Sequence, residues 1–89
     1  MSYRLLYSKR ADKQLAKMDR GTARVIVAWL NTNIDGAQDP RARGKALRGD
    51  LSGAWRYRIG DYRVLCDIHD EELIVLAIEI GHRSMIYRR

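Results

Sequence analysis

A chain of 89 residues is long enough for one small domain and too short for two. Hydrophobic residues make up 46% and charged residues 31% of it, which fits a soluble globular protein and argues against disorder. The longest apolar runs, residues 25–30 and 73–78, are far too short to span a membrane. The lone Cys66 excludes an internal disulfide and suits a reducing cytoplasm, where we expect the protein to be. Because only two histidines accompany it, we expect no metal site.

The basic charge of the chain points to an anionic partner. The net charge is +6 and the pI is near 9.9. A pI above about 9 in a small domain is an electrostatic footprint of nucleic-acid binding. The alternative is general basicity without a specific partner. Since both halves of the chain carry the excess, local clusters must decide between the two.

The N-terminal third predicts a strand and two helices. Residues 3–7 are short, apolar and aromatic, which favours an edge strand. Ser8 can cap a helix. The second helix is predicted over residues 22–33, after a break at residues 19–21, so the two helices form an αα-hairpin. The apolar positions of the first helix recur at spacings of four and three: Ala11, Leu15 and Met18.

The middle of the chain predicts a loop followed by a basic stretch. Residues 35–40 have loop composition. Residues 41–49 contain four basic side chains and no acid, and their glycines argue against a helix. Within this stretch, Lys45 and Arg48 either contact a backbone phosphate or belong to a simple turn of the chain.

The C-terminal half predicts three strands. Residues 55–59 and 62–66 form a β-hairpin around Gly60-Asp61, a two-residue turn of the primed type. Residues 73–80 form the third strand, which we expect to be central and covered on both faces because it lacks polar alternation. The predicted fold is therefore a single α+β domain over residues 1–89, of order β-α-α-β-β-β. Its helical hairpin packs on one side of a small antiparallel sheet.

The hairpin gathers three arginines on one face of its sheet. A two-residue turn places Arg58 directly opposite Arg63, and Arg56 lies two residues before Arg58. Like charges opposite each other destabilise a strand pair, so this face is suited to an anion such as phosphate. The alternative is that these are solvated side chains, some of them paired with nearby acids.

The last residues bring together a histidine, an arginine and a tyrosine after the predicted central strand. They are His82, Arg83 and Tyr87. A histidine exchanges protons near neutral pH, an arginine can neutralise developing charge, and a tyrosine hydroxyl can donate or accept a hydrogen bond. The alternative is a frayed basic terminus.

Four motifs together resemble the RelE toxins of the RelE/ParE superfamily, the toxin half of type II toxin–antitoxin pairs. The resemblance implies a RelE-like fold and an endoribonuclease that cuts messenger RNA in the ribosomal A site. It implies attack of the ribose 2′-OH on the adjacent phosphate, with neither metal nor cofactor. The motifs are Ser8-x-x-Ala11-x-x-x-Leu15-x-x-Met18-Asp19, Lys45-x-Leu47-Arg48-Gly49, residues 55–64 as a block, and Ile80-Gly81-His82-Arg83 with Tyr87.

The resemblance also implies a role for each matching residue. Arg56 and Arg63 would stabilise the phosphate, and Arg83 the leaving group or the developing charge. Tyr87 would orient the ribose or stack on a base. Where a relative carries a lysine proposed as the general base, this chain has Arg58, and a guanidinium with a pKa above about 12 is a poor base. Proton abstraction would then fall to His82 or to solvent.

Partners follow from the same resemblance. It implies a RelB-like antitoxin with an acidic tail, the ribosome with its messenger RNA, and operator DNA bound through the antitoxin, but no membrane. Two other functions stay open. One is a ParE-like inhibitor of DNA gyrase without nuclease activity, and the other is a basic nucleic-acid-binding module that is not an enzyme.

Overall fold

The fold consists of two helices and a five-stranded sheet. The computed structural model describes residues 1–49 and 53–86. In chain order the elements are β1 (Arg4–Tyr7), α1 (Lys9–Lys17), α2 (Arg20–Asn33), a 3₁₀ turn (Pro40–Ala42), β2 (Lys45–Ala46), β3 (Trp55–Ile59), β4 (Tyr62–His69) and β5 (Ile74–His82). None of these helices is long and apolar enough to cross a membrane.

The sheet has the strand order β1-β5-β4-β3-β2. The three strands β3, β4 and β5 are antiparallel neighbours, as is the short β2 beside β3. β1 pairs parallel with β5, because the chain returns to its first strand after both helices and the hairpin. The α+β class and the order of the main elements are confirmed, whereas the sheet is mixed rather than purely antiparallel.

Side-chain caps set where the helices begin. The Ser8 hydroxyl accepts a hydrogen bond from the amide of Ala11, as predicted. Asp19 caps the second helix in the same way by accepting from the amide of Thr22 at 3.0 Å. This cap starts α2 at Arg20, two residues before the predicted position, so the break between the helices lies at Met18 and Asp19 rather than at residues 19–21.

The two helices meet the sheet in different ways. α1 lies beside β5 beyond the end of β1, where Gln14 Oε1 accepts a hydrogen bond from the Ile80 amide at 2.6 Å. α2 covers one face of the sheet with Ile26 and Leu30, which join the core. In addition, the Trp29 ring lies 5.8 Å from the ring of Tyr57 on β3.

The face of the sheet opposite α2 is called the open face here. Because side chains alternate along a strand, it carries the residues between the core positions of β3, β4 and β5. β5 is central, as predicted, and Val75 and Ala77 on it are buried. No residue of β5 is exposed, but Leu76 and Ile78 are only half-buried, so the expected covering of both faces is complete on the α2 side and partial on the open face. At and beside the β3–β4 hairpin, the open face carries Lys45, Arg56, Arg58, Arg63 and Gly81.

A cluster of Tyr3, Arg41 and Asp70 connects three segments that are distant along the sequence. The Asp70 carboxylate, in the turn before β5, accepts two hydrogen bonds from the Arg41 guanidinium at 2.9 and 3.1 Å. It also accepts one from the Tyr3 hydroxyl at 2.7 Å. The hydrogen bonds from Arg41, and then from Tyr3, lower the pKa of Asp70 below its ordinary value.

We expect Asp70→Asn to lower the melting temperature at neutral pH and to lose this effect in acid. A carboxylate whose pKa is lowered by folding stabilises the protein above its unfolded pKa, about 3.9. That stabilisation disappears as the pH falls through the lowered folded pKa. Thermal unfolding followed by circular dichroism between about pH 7 and pH 2 measures it. Glu71→Gln, in the same turn, is the control, and an equal loss in both variants would contradict the role of Asp70.

Candidate functional site

The β3–β4 hairpin has the predicted turn and register. Gly60 has a φ of +57°, the positive value that a primed turn needs at its first central position. Ile59 pairs with Tyr62, and Arg58 pairs with Arg63. The two arginines therefore lie on neighbouring strands directly opposite each other on the open face.

The guanidinium of Arg63 is turned toward the hairpin turn, which relieves the repulsion between its charge and that of Arg58. Its Nη1 donates to the carbonyl oxygens of Gly60 and Tyr62, each at 3.0 Å. The residue is 8% exposed, the one buried charged residue in the described part of the chain. A guanidinium has five N–H donors, and these two bonds fix its position.

Arg56 and Arg58 line a basic cleft at the edge of β3. The basic cleft has a volume of about 240 Å³. Arg58 is exposed, and Lys45 on β2 pairs with Arg56. Arg56 is half-buried, and its Nε is buried without a hydrogen-bond partner among the described residues. The residues lining the basic cleft are Trp29, Arg43, Gly44, Lys45, Arg56 and Arg58.

The structure holds Arg83 beside the turn of the hairpin. Its amide donates to the Asp61 carbonyl oxygen at 2.7 Å, and its Nε lies 3.7 Å from Asp61 Oδ1. Both side chains are more than half exposed. An exposed ion pair of this length is weak, so an anion can compete with Asp61 for the guanidinium.

His82 is fixed by its neighbours. The centroid of its ring lies 5.5 Å from that of the Tyr62 ring, and the two rings are nearly perpendicular. Its Nδ1 lies 2.8 Å from the Ser84 hydroxyl and accepts a hydrogen bond from the Ser84 amide at 3.1 Å. The neutral ring then carries its proton on Nε2, which makes that nitrogen a hydrogen-bond donor rather than a base.

The chain after β5 folds back over the open face. Ile86 is 3% exposed and lies over Gly81, whose absent side chain would meet it at 3.9 Å. Gly81 is the strand partner of Arg63, so the tail approaches the arginines of the hairpin. Tyr87 lies outside the described residues, and its role stays a prediction.

Sequence reasoning missed one cation of the basic cleft and named one that lies elsewhere. Arg43 lines the basic cleft, and the run of basic residues at 41–49 was the signal for it. The neighbouring Arg41 is held by Asp70 instead. Arg48 is exposed after β2 and does not line the basic cleft, so its role as a phosphate contact stays a prediction.

The thiol and the acids supply no further site in the described residues. Cys66 is fully buried, and burial raises the pKa of its thiol, so it serves as a small core residue, as expected. Within residues 1–49 and 53–86, no three His, Cys, Asp or Glu side chains come close enough to hold a metal ion together.

Comparison with known proteins assigns the chain to a family. It matches the family described as "ParE toxin of type II toxin-antitoxin system, parDE" over residues 5–87. Toxin RelG of Mycobacterium tuberculosis (strain ATCC 25618 / H37Rv) is 32% identical over 89 residues, all of both chains. Toxin RelE of the same organism is 46% identical over 86 residues, which are 97% of this chain and 87% of the relative.

Solved structures show the same fold. The toxin–antitoxin complex RelBE2 from M. tuberculosis contains a chain that superposes with a TM-score of 0.84 at 27% identity, over 94% of both chains. A mutant of the E. coli toxin RelE in the free state gives a TM-score of 0.75 at 23% identity, over 97% of this chain and 88% of that one. By class, the protein is thus a toxin of a type II toxin–antitoxin system. It belongs to the RelE/ParE family.

Proposed function

We propose that this toxin is an endoribonuclease that cuts messenger RNA in the A site of the ribosome. The observation that carries the proposal is the group of guanidinium groups at the turn end of the open face. Arg58 pairs with Arg63, and Arg83 is bound to the turn that joins their strands. The 46% identity to a toxin named RelE supports the nuclease rather than another activity of the family.

The arginines suit a reaction in which negative charge builds up on a phosphate. Attack of a ribose 2′-OH forms a bond to phosphorus, places charge on the phosphorane oxygens and expels the 5′-oxygen. Arg63 is already fixed by two carbonyl groups, so it donates without rearranging, which is the condition for strong transition-state stabilisation. Arg56 and Arg58 clamp the phosphate from β3. Arg83 stabilises the charge on the leaving oxygen.

The proton of the 2′-OH has no strong acceptor among the described site residues. Arg58 cannot serve, because a guanidinium has donors only and no acceptor for a proton. The Ser84 amide occupies Nδ1 of His82, which leaves that ring as a donor through Nε2. We therefore assign proton removal to solvent. A ribosome that holds the message in line for attack can supply several kcal/mol that the missing base does not, and this accounts for dependence on the ribosome.

An antitoxin completes the system. The solved complexes of RelBE2 from M. tuberculosis, RelE-RelB from Pyrococcus horikoshii and RelBE from E. coli each contain a toxin with its antitoxin. We infer a RelB-like antitoxin for this chain, whose acidic segment neutralises the arginines of the open face. The toxin–antitoxin complex binds operator DNA through the antitoxin.

The second candidate is inhibition of DNA gyrase. The name of the matching family, ParE toxin, favours it. This activity would use the same fold without any cut in RNA, so the arginines of the open face would be a protein-binding surface. The two candidates differ in their target and are separated by one pair of assays.

The deciding experiment is cleavage mapping with purified toxin, freed from its antitoxin, on ribosomes that hold a defined message. We expect cuts within the A-site codon that leave a 2′,3′-cyclic phosphate and a 5′-hydroxyl, and no cut without ribosomes. Supercoiling by gyrase is assayed in parallel. Intact message together with inhibited gyrase would establish the second candidate. Salt-sensitive RNA binding with neither effect would leave a binding module.

A further inference from the structure

We propose that the basic cleft is a second subsite, which binds the message nucleotide next to the one that is cut. In this subsite Arg43 and Lys45 contact the neighbouring phosphate, and the indole of Trp29 contacts the base. The inference rests on the proposed nuclease function and extends the site from the turn of the hairpin to the far end of β3.

The position of the basic cleft makes it accessible to an extended strand. β2 pairs with β3 only at Trp55 and Arg56, so the remainder of β3 has no strand on that side in the described structure. The basic cleft opens at this uncovered edge. Lys45 lies beside Arg56 on the paired β2, so a strand that leaves the phosphate clamped by Arg56 and Arg58 along this edge meets Lys45 next.

The charges of the basic cleft lack internal compensation. Four of its six lining residues are cationic and none is acidic. Elsewhere, Arg10, Arg41 and Arg83 each pair with a carboxylate. No residue of the basic cleft has an ion pair with another described residue, and Arg56 Nε is a buried donor without a partner there. Because a buried donor without a partner is unfavourable, a phosphate oxygen that accepts from it is favourable.

The aromatic residue favours RNA over an acidic peptide. Trp29 is half-buried, with its ring against Tyr57, and the indole also lines the basic cleft. Cations that follow a backbone beside an aromatic ring for a base are the usual combination in sites for single-stranded nucleic acid. An acidic segment of the antitoxin would use the cations and leave the indole without a role.

Arg43→Ala tests the subsite without disturbing the fold. The side chain of Arg43 is exposed, and the contact that the residue makes to Trp55 Nε1, at 2.7 Å, uses its main-chain carbonyl, which alanine keeps. On programmed ribosomes we expect the toxin concentration for half-maximal cleavage to rise about 3- to 10-fold, as for loss of one phosphate contact, with the maximal rate unchanged. Arg24→Ala removes the same charge from a separate groove on α2 and should change neither value.

Modified messages identify the contact. A single uncharged methylphosphonate linkage beside the cut should abolish the difference between Arg43→Ala and the unmodified toxin. If the difference survives an uncharged linkage on either side, the cation contacts ribosomal RNA and the proposal is overturned. It is also overturned if Arg43→Ala behaves as Arg24→Ala, or if only the affinity for the antitoxin falls.

A binding assay separates failure of the subsite from failure of the nuclease proposal. Fluorescence anisotropy with short single-stranded RNA does not require cleavage. The slope of log affinity against log salt should be shallower by about 0.7 in Arg43→Ala than in the unmodified toxin, since one phosphate contact is lost. Trp29→Phe, which keeps an aromatic core contact, should weaken binding without changing this slope. Equal slopes in Arg43→Ala and Arg24→Ala would refute the subsite whether or not the toxin cuts RNA.

Discussion

Arg83→Ala is expected to reduce the maximal rate of message cleavage about 10²- to 10³-fold, the usual effect of removing one donor that faces developing charge. The guanidinium lies beside the hairpin turn, 3.7 Å from Asp61, and is exposed. It can reach the leaving oxygen at the turn end of the open face without any rearrangement of the core. Single-turnover cleavage on programmed ribosomes at saturating toxin measures the effect.

The fold should not change in this variant. The backbone contact between Arg83 and Asp61 uses the amide, which alanine retains, and exposed ion pairs contribute little to stability. The melting temperature should therefore equal that of Arg24→Ala, the matched loss of charge on α2. Arg83→Lys should recover part of the rate, because it keeps the charge and loses the forked donors. A fall in affinity at unchanged maximal rate would assign Arg83 to binding rather than to catalysis.

The hairpin was predictable because its geometry is local. Two turn residues, Gly60 and Asp61, determine which residues face each other, so the pair Arg58–Arg63 followed from counting. The burial of Arg63 did not follow. The side chain donates to two main-chain carbonyl groups, that of Gly60 in the turn and that of Tyr62 at the start of β4, and the sequence does not show these contacts.

The basic stretch before the hairpin shows the opposite case. Arg41 and Arg43 are two residues apart in one run and look equivalent in sequence. Asp70, distant along the chain, binds Arg41 and removes it from the basic cleft, whereas Arg43 remains there. Tertiary contacts of this kind decide which cation lines the basic cleft, and the sequence pattern does not contain them. The mixed sheet has the same origin, since the parallel pairing of β1 with β5 joins the first and the last strand in the chain.

Gly44→Ala is expected to lower the free energy of unfolding by more than about 3 kcal/mol. Losses of this size are typical of mutations that force a steric clash or backbone strain. Gly44 has a φ of +85°, which alone costs a residue with a side chain about 1–2 kcal/mol. A methyl group there would lie 2.3 Å from the Arg56 carbonyl oxygen and 2.6 Å from Trp55 Nε1. The first of these atoms is backbone of β3, so the strand itself must move.

Gly36→Ala is the matched control. Gly36 has a φ of +81°, and a methyl group built on it meets nothing within 4 Å. It should therefore show the backbone cost of about 1–2 kcal/mol alone, and urea unfolding of both variants isolates the clash as the difference between them.

Because Gly44 lines the basic cleft, displacement of Arg56 should also raise the toxin concentration needed for cleavage in Gly44→Ala and not in Gly36→Ala. Equal losses of stability in the two variants would mean that the backbone of β2 and β3 moves aside at little cost in free energy. The basic cleft would then be too flexible to hold an RNA strand in register.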